Sequence, residues 1–488
     1  MINLSRRQAM AGLAAGALLP ALTGCQVAPG TGRSGFNLLS ADDESKIGAD
    51  THPQIIREFG GAYDDPAVQA YVAGLGQRLV RVCETPEAEF RFTVLDSPVV
   101  NAMALPGGYI YVTRGLMALT ANEAELAGVV GHEIGHVLGR HTAQRVSQAQ
   151  ATGLLAGILG AVVGTPGVAD LAQLGAAAYL QSFSREQELE ADHLGFRYLA
   201  KAGWDAHAMA SMLDKLRDQA RLEAMMAGRS PDSIDQFDFM ASHPRTRDRV
   251  EAAMAEALGA PPQGALGTDT LLDRIDGMIY GDSPAQGVVR RQAFLHPDGF
   301  RFEVPEGFRM TNGTRAVTAR DGSGALIVFD GAAAKGSGSD MLGYLTRVWM
   351  PRARLSGAER IDINGMAAAT ASTQGRTRQG QVDIRLVAIR FDQDSLYRFT
   401  FVTPPGRTAR LGEALRRTTY SFRRLGEDER TGIRPLRLKV VRAAPGDTVE
   451  RLAERMALPD WRAETLRALN GLDEGRQPQP GQRIKLVV

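Results

Sequence analysis

Residues 120–142 read TANEAELAGVVGHEIGHVLGRHT, and this stretch determines what the rest of the fold has to supply. Thr120 and Glu123 have the spacing of a capping box, which predicts a helix that begins there and runs through the apolar residues that follow. On such a helix His132 and His136 lie on one face, about one turn apart, so their imidazoles can occupy two corners of a metal tetrahedron. Because the flanking residues are small and apolar, we expect both histidines to be buried and to need a partner.

Glu133 lies beside the first histidine but is turned about 100° around the helix axis. This direction makes it a poor third ligand and a suitable general base for a water at the metal. A catalytic zinc ion has three protein ligands and one open position. The pattern therefore predicts one zinc ion per chain, with Glu133 as the catalytic base, and it requires a third ligand elsewhere in the sequence.

His141 is the nearest candidate for the third ligand. In the astacin-like pattern HExxHxxGxxH, Gly139 would occupy the glycine position, but the last histidine would fall on Thr142. His141 therefore does not fit that pattern, and a ligand from a more distant part of the chain is the better prediction.

A second acidic segment, FSREQELEADHLG at residues 183–195, is the better source of the ligand. Its pattern predicts another helix. Glu188 and Asp192 share one face of that helix. Glu186 and Glu190 share another face, and spacing alone leaves both acidic pairs open.

Together, HEIGHVLGRH and SREQELEAD resemble the BepA- and HtpX-like zinc metallopeptidases, which are relatives of the CAAX prenyl endopeptidases. NAMALPGGYIYVT at residues 101–113 matches the same family, and the likeness covers roughly residues 40–258. The resemblance implies that Glu188 is the third ligand and that Asp192 orients a ligand histidine. It also places Arg249 in the shell around these residues.

The same resemblance implies hydrolysis of peptide bonds in unfolded or loop segments. Tyr109 and Tyr111 lie on a predicted strand that resembles the edge strand on which the family pairs an extended substrate, although core packing alone would also explain the strand. His243, in a Ser-His-Pro motif that the family shares, precedes a proline and is expected on an extended loop. Two roles stay open for His243: a fourth metal ligand that holds the enzyme latent, which we favour, and a donor to the oxyanion.

Residues 1–25 are typical of an export signal, in which the charged SRR is followed by an uncharged run and then by LTGC. LTGC resembles the bacterial lipobox, whose cysteine becomes lipidated. We therefore predict a lipid anchor at Cys25, a flexible tether at residues 26–40 and a place on the periplasmic side of the bacterial cell envelope. Gln26 favours the outer over the inner membrane.

The remaining pattern predicts a multidomain protein. A mainly α, zincin-type peptidase domain with a small edge β-sheet covers residues 41–260, and an α+β domain follows at residues 285–425. Residues 435–488 resemble a LysM module with the element order βααβ. Such modules commonly bind N-acetylglucosamine-containing glycans, so the resemblance implies peptidoglycan as a partner. A degenerate module that serves only for docking is the alternative.

Net charge and hydropathy argue against a nucleic-acid-binding protein and against a membrane-spanning segment after residue 150. The formal net charge of +1 would not concentrate nucleic acid, so we predict no nucleic-acid partner. The stretch from Gly153 to Leu180 carries a single charge, at Asp170, but a Thr-Pro-Gly break divides it into pieces shorter than the roughly 20 residues of a membrane-spanning helix. We interpret this stretch as buried helices or a hairpin near the active site.

The predicted function is zinc-dependent cleavage of misfolded or misassembled envelope proteins. A non-catalytic assembly factor or chaperone bound to peptidoglycan is the main alternative, and a zinc-dependent cell-wall hydrolase is a second. Glu133 argues against the first alternative because a binding protein has no need of a general base. The zinc motifs of cell-wall hydrolases normally differ from those found here.

Overall fold

The structure, a computed structural model, describes residues 25–151, 183–231, 249, 251–252, 255, 264–334, 340–377 and 380–488. The chain divides into two units, of which the first comprises Met1–Met278 together with Arg437–Val488 and the second comprises Ile279–Leu436. The predicted α+β domain lies inside the second unit. The predicted LysM-like module groups with the peptidase region in the first unit, although the sequence predicted it as a domain of its own.

Before residue 278 the first unit is mainly helical, with a two-stranded hairpin and a small sheet. Its helices are α1 (Ala41–Glu58), α2 (Pro66–Val80), α3 (Arg114–Leu119), α4 (Glu123–Leu138), α5 (His141–Ala151), α6 (Arg185–Lys201), α7 (His207–Met226) and α8 (Thr268–Ile275). Its strands are β1 (Cys25–Val27), β2 (Ser34–Phe36), β3 (Arg91–Leu95), β4 (Ala102–Leu105) and β5 (Tyr109–Thr113).

The small sheet has the order β3-β5-β4, with β3 parallel and β4 antiparallel to β5. Strand β5 is therefore the central strand, and both of its hydrogen-bonding edges are occupied. The prediction that the Tyr109–Val112 strand is an edge strand is wrong, because pairing between β3 and β5 depends on chain segments far apart in sequence. Among the described residues, β4 pairs on one side only.

Helix α4 begins later than the capping-box spacing predicted. The Asn122 side chain caps it by accepting a hydrogen bond from the backbone N–H of Glu125 at 2.9 Å, whereas Thr120 ends the preceding helix α3. The predicted capping box of Thr120 and Glu123 is wrong because α3 and α4 are so close in sequence that Thr120 still belongs to the end of the first helix.

Helices α4 and α6 pack almost backbone to backbone. A Cβ atom on Gly131 would lie 3.2 Å from the Cα atom of Gly195, and one on Gly195 would lie 2.9 Å from the backbone nitrogen of His132. A side chain at either glycine would force the helices apart. This close approach lets short side chains on the two helices meet, which positions the candidate site.

Residues 25–39, predicted as part of a flexible tether, instead form an ordered hairpin that packs against the first unit. Strands β1 and β2 pair in antiparallel register, with Cys25 opposite Phe36. Ala28 and Asn37 are buried. Gly30 and Gly35 of this segment approach Leu138 and Gln144 closely, and such contacts with distant residues cannot be predicted from the local composition.

The second unit is rich in β-strands around an aromatic core. Its strands are β6 (Ile279–Tyr280), β7 (Val288–Arg290), β8 (Ala293–His296), β9 (Phe300–Glu303), β10 (Arg309–Asn312), β11 (Val317–Arg320), β12 (Leu326–Ala333), β13 (Ser356–Ile363), β14 (Met366–Thr377), β15 (Gly380–Arg390), β16 (Ser395–Thr403) and β17 (Arg423–Arg424). Its helices are α9 (Met341–Gly343), which continues as a π-helical turn, α10 (Pro405–Ser421) and α11 (Glu427–Thr431). A seven-stranded antiparallel sheet has the order β10-β11-β12-β16-β15-β14-β13, and a four-stranded sheet has the order β17-β9-β8-β7.

The last segment has the predicted order βααβ, with β18 (Leu436–Arg442), α12 (Val449–Glu454), α13 (Arg462–Asn470) and β19 (Arg483–Val487). Strands β18 and β19 pair antiparallel. Lys485 on β19 is buried, and its ammonium donates to the backbone carbonyls of Ala118 at 2.7 Å and Thr120 at 2.6 Å. These carbonyls end helix α3, so a cation from this segment satisfies acceptors that the helix cannot satisfy itself.

Among the helices that the structure describes, none combines the length and the apolar character needed to cross a membrane. The stretch from Gly153 to Leu180, predicted as buried helices or a hairpin, lies outside the described residues.

Candidate metal centre

Three buried side chains from α4 and α6 point their donor atoms at one another. The Nε2 atoms of His132 and His136 are 3.0 Å apart. The Glu188 carboxylate places one oxygen 3.6 Å from the first nitrogen and the other 3.5 Å from the second. Each of the three residues is at most 5% exposed. The open choice between the two acidic pairs is thus resolved, since Glu188 of the first pair faces the histidines.

These three donors fit a metal ion. Bonds of about 2.0–2.1 Å at tetrahedral angles would separate neighbouring donor atoms by roughly 3.3–3.4 Å. The observed separations of 3.0, 3.5 and 3.6 Å lie around that value, with no rearrangement of the helices. Two imidazoles and one carboxylate are also the ligand set of many catalytic zinc sites.

Asp192 holds His132 from behind. Its carboxylate lies 2.8 Å from the Nδ1 atom of His132, on the ring edge opposite the donor nitrogen. Burial acts to lower the pKa of His132, but the charges of Asp192 and Glu188, together with the hydrogen bond to Asp192, outweigh it and raise the pKa. The contact leaves the Nε2 atom of His132 facing Glu188, an arrangement compatible with the orienting role predicted for Asp192.

Arg249 balances the carboxylates around the site. Its guanidinium donates to both oxygens of Asp192 at 2.7 Å and also contacts Glu188. Burial acts to raise the pKa of Asp192, but the charges and hydrogen bonds of Arg249 and His132 together outweigh it and lower the pKa. A buried carboxylate that is paired in this way remains an anion and can keep accepting a hydrogen bond from His132.

His141 holds the second ligand histidine, a role that the sequence reasoning missed. The Nδ1 atoms of His141 and His136 are 2.8 Å apart, and His141 is buried. Because His141 contacts the ring edge away from the metal-facing nitrogen, it supports a ligand and is not one itself. The feature of the sequence that could have indicated this role is a histidine five residues after His136, just after the apolar helix ends at Leu138.

The turn that delivers His141 is conformationally costly. Arg140 has φ of 55°, a left-handed conformation that is uncommon outside glycine. Its guanidinium is held by the Glu44 carboxylate, with Nε to Oε1 at 2.7 Å, and by the backbone carbonyl of Leu39 at 2.9 Å. These contacts from outside the turn stabilise it and fold His141 back onto His136.

Phe183 forms an aromatic wall beside the site. Its ring stacks on His136 with 3.9 Å between ring centroids, and the Arg145 guanidinium lies 3.5 Å from the centroid of the Phe183 ring.

Glu133 is buried on α4 next to His132. Burial acts to lower the pKa of Arg249, but the negative charges of Asp192 and Glu188, and to a smaller extent that of Glu133, raise it. The predicted base therefore lies within the same electrostatic cluster.

Other predicted residues lie elsewhere. Tyr111 is buried, and its hydroxyl lies 2.6 Å from the Nδ1 atom of His52, so its assignment to substrate binding is wrong. Tyr109 shares the central strand β5 and has no free strand edge to offer. His243 lies outside the described residues. Glu190 is turned away from the site and pairs with Arg33 at 3.4 Å.

Residues 66–257 match the family model described as Peptidase family M48, and residues 442–487 match the model of the LysM domain. The Beta-barrel assembly-enhancing protease of Escherichia coli strain K12 is 30% identical over 243 residues, which cover 47% of each chain. The protein of that name in Yersinia pestis is 34% identical, over 56% of this chain and 58% of the relative.

More distant relatives are mitochondrial. The Mitochondrial metalloendopeptidase OMA1 of Schizosaccharomyces pombe is 26% identical, over 47% of this chain and 65% of that protein. The chain spans about half the length of the curated relatives that it matches first. Among solved structures, the match to cyanobacterial PsbP from Synechocystis covers 30% of this chain and 98% of that protein, at 16% identity and with a TM-score of 0.22.

Proposed function

We propose that this chain is a zinc-dependent endopeptidase, because residues 66–257 match the model of peptidase family M48 and contain three buried donors that could hold a metal ion. The observation that carries the proposal is the triangle of His132, His136 and Glu188, in which each histidine is also held on its outer nitrogen. A binding surface would need neither the buried donors nor the buried acid beside them. The ligand set favours zinc among the metals that such a site can hold.

Several residues of this chain have separate roles in the proposed hydrolysis of a peptide bond. When bound, a zinc ion would supply Lewis-acid polarisation to the scissile carbonyl and to the attacking water. Glu133 removes the proton of that water and later passes it to the leaving amine. Asp192 and His141 keep the two ligand rings in place, and Arg249 offsets the charge of the surrounding carboxylates.

An extended substrate is assigned to strand β4 in place of β5. Among the described strands of this sheet, β4 (Ala102–Leu105) pairs on one side only, and it packs close to helix α4, which carries Glu133. Main-chain pairing at a strand edge recognises any extended peptide and selects against folded segments. This supports unfolded or misassembled proteins as substrates.

The cellular setting is part of the same proposal. The lipobox-like LTGC at residues 22–25 supports a lipid anchor at Cys25, and the LysM domain supports peptidoglycan as a partner. The names of the bacterial relatives refer to assembly of β-barrels, which supports a role in quality control of envelope proteins. We place the chain on the periplasmic side of the envelope, at the outer rather than the inner membrane.

Replacement of Glu133 by Gln tests the proposal. Glu133→Gln keeps the shape of the side chain and removes its basicity, so turnover of unfolded casein should fall by roughly 10²–10⁴-fold while zinc content stays at one per chain. Peptidoglycan incubated in parallel should stay intact with both proteins. Near-normal casein turnover by a zinc-replete variant would contradict the mechanism, and chelator-sensitive release of peptidoglycan fragments would favour a cell-wall hydrolase.

A further inference from the structure

Three strongly exposed apolar side chains lie in or directly after the β1–β2 hairpin. Of the eight large apolar residues that are strongly exposed in the described parts of the chain, three lie within twelve positions of one another. They are Val27, Phe36 and Leu38, which are 59%, 40% and 46% exposed. A contiguous group of exposed apolar side chains often marks a contact site, whereas single exposed apolar residues are common and need no explanation.

The strand register places the first two of these side chains on one face of the hairpin. Phe36 is paired opposite Cys25, and Val27 is two residues further along the same strand. Side chains alternate along a strand, so Val27 and Phe36 project on the same side. Gly35 belongs to the other side, where a Cβ atom would lie 2.6 Å from the Gln144 side chain on α5. One face of the hairpin thus packs on the fold and the other, apolar face is open.

The hairpin is also joined to the two helices that carry the metal ligands. The N–H of Gly30 donates to the carbonyl of Leu138, two residues after His136, at 3.2 Å. From α6, Arg197 donates to the carbonyl of Gly30 at 3.3 Å. Glu190, between Glu188 and Asp192 on the same helix, pairs with Arg33 of the hairpin.

Cys25 is therefore joined to helices α4 and α6 through the β1–β2 hairpin and not through a flexible linker. A lipid attached at Cys25 would enter the bilayer from a residue whose backbone lies about 5 Å from that of Phe36. The apolar face that carries Phe36 and Val27 is then the part of the protein nearest to the hydrocarbon.

We propose that the open face of the β1–β2 hairpin docks on the lipid bilayer and holds the metal centre close to the membrane surface. Peptide bonds near the membrane, in segments that emerge from it, are then within reach, and distant ones are not. The docking rests on the proposed lipidation of Cys25 for its strength in the cell. Its apolar contact is a property of the hairpin itself and can be measured without the lipid.

The first experiment uses the chain from residue 25 onward with Cys25→Ser, which carries no lipid. Its partition onto vesicles of phosphatidylethanolamine and phosphatidylglycerol is compared with that of a variant that adds Val27→Ser, Phe36→Ser and Leu38→Ser. We expect the three substitutions to lower the partition coefficient by roughly 10–100-fold. The matched control adds Val99→Ser, Leu266→Ser and Val348→Ser, which remove three apolar side chains of similar exposure elsewhere and should change it less than about twofold.

Equal loss of partition in both variants, or in neither, would overturn the docking surface. Zinc content and casein turnover of each variant report whether the fold is intact. If casein is not cleaved by any of them, the proposed activity fails while the vesicle result still judges the docking surface.

The second experiment uses the lipidated full chain. A flexible Gly/Ser linker of twenty residues is inserted after Cys25, and both proteins are mixed in vesicles with unfolded polypeptides anchored in the same membrane. The native chain should cut only near the anchored end of each polypeptide, and the linker should move the cuts further out. Identical cut positions would overturn the restriction to the membrane surface. The mass of the N-terminal peptide shows separately whether Cys25 carries lipid.

Discussion

At the scale of single residues, the two ligand histidines are held by partners of different kinds. His132 faces the Asp192 carboxylate, whose charge Arg249 balances, whereas His136 faces a second imidazole, that of His141. A carboxylate increases the basicity of a ligand ring more strongly than an imidazole does. The two rings should therefore contribute unequally to metal affinity, with His132 the stronger donor.

The choice of the acidic ligand can be tested by a pair of substitutions on one helix. Glu188→Ala removes a carboxylate that faces both histidines and should lower the zinc content of the purified protein to near zero. Glu190→Ala removes a partly exposed carboxylate that pairs with Arg33, and zinc content should stay at one per chain. Elemental analysis of both variants decides the matter, and the reverse result would show that the ligand lies on the other face of α6.

The supporting role of His141 has its own test. His141→Ala leaves the ring of His136 without its partner, so zinc affinity should fall by roughly 10–100-fold, as measured by competition with a chelator. His193→Ala is the control, because His193 is an exposed histidine on the same helix as Glu188. Equal affinities for the native protein and His141→Ala would refute the role, whatever the effect on turnover.

His243 remains a prediction from the sequence. If its imidazole occupies the open metal position and keeps the enzyme latent, His243→Ala should raise turnover of an unfolded substrate. If it stabilises the oxyanion, the same change should lower kcat by roughly 10²–10³-fold. We expect the rise, and parallel measurement of zinc content guards against simple loss of metal. Unchanged turnover with unchanged zinc would show that His243 has neither role.

At the scale of elements, helices α4 and α6 were predicted from sequence because their patterns are local. The spacing of His132 and His136, and the acidic pairs on the second helix, follow from the geometry of a single helix. The close packing at Gly131 and Gly195 could not be predicted, because nothing in either segment says that the two glycines meet. Sequence spacing supplied the ligands and the resemblance chose among them, while the contact between helices determines their distance.

Strand β5 illustrates the opposite case. Its pattern predicts a strand, but whether a strand is central or at an edge depends on which other segments pair with it. Here β3 pairs in parallel with β5, although Leu95 at the end of β3 is fourteen residues before Tyr109 at the start of β5. Parallel strands are not joined by a tight turn, so no turn motif in the sequence indicates the pairing. The hairpin β1–β2 was missed for a related reason, since several contacts of this segment come from residues far along the chain, namely Leu138 of α4, Ser147 of α5 and Arg197 of α6.

At the scale of the whole first unit, Lys485 joins the LysM segment to the peptidase region. Lys485→Met keeps the length of the side chain but leaves the carbonyls of Ala118 and Thr120 without their donor, so we expect a loss of about 2–3 kcal/mol of unfolding free energy. Lys439→Met, in the same segment, removes an exposed ion pair with Asp276 and should cost less than about 1 kcal/mol. Calorimetry of both variants compares them directly, and equal stability would refute the role of Lys485.

The same residue predicts a pH dependence. Burial lowers the pKa of Lys485 well below its usual value, so the unfolded chain holds this proton more tightly than the folded one. Its contribution to stability should therefore rise with pH from the lowered pKa up to about 10.4, where the unfolded side chain titrates. Lys485→Met should remove that part of the rise, which the calorimetric series would show as a flatter profile.

The division of the first unit between Met1–Met278 and Arg437–Val488 also orders events during synthesis. While the ribosome is still translating the second unit, the peptidase region has its metal ligands but lacks the cation that completes the end of helix α3. The stability that Lys485 contributes to the first unit is therefore gained last, when residues 437–488 have followed the intervening polypeptide of the second unit.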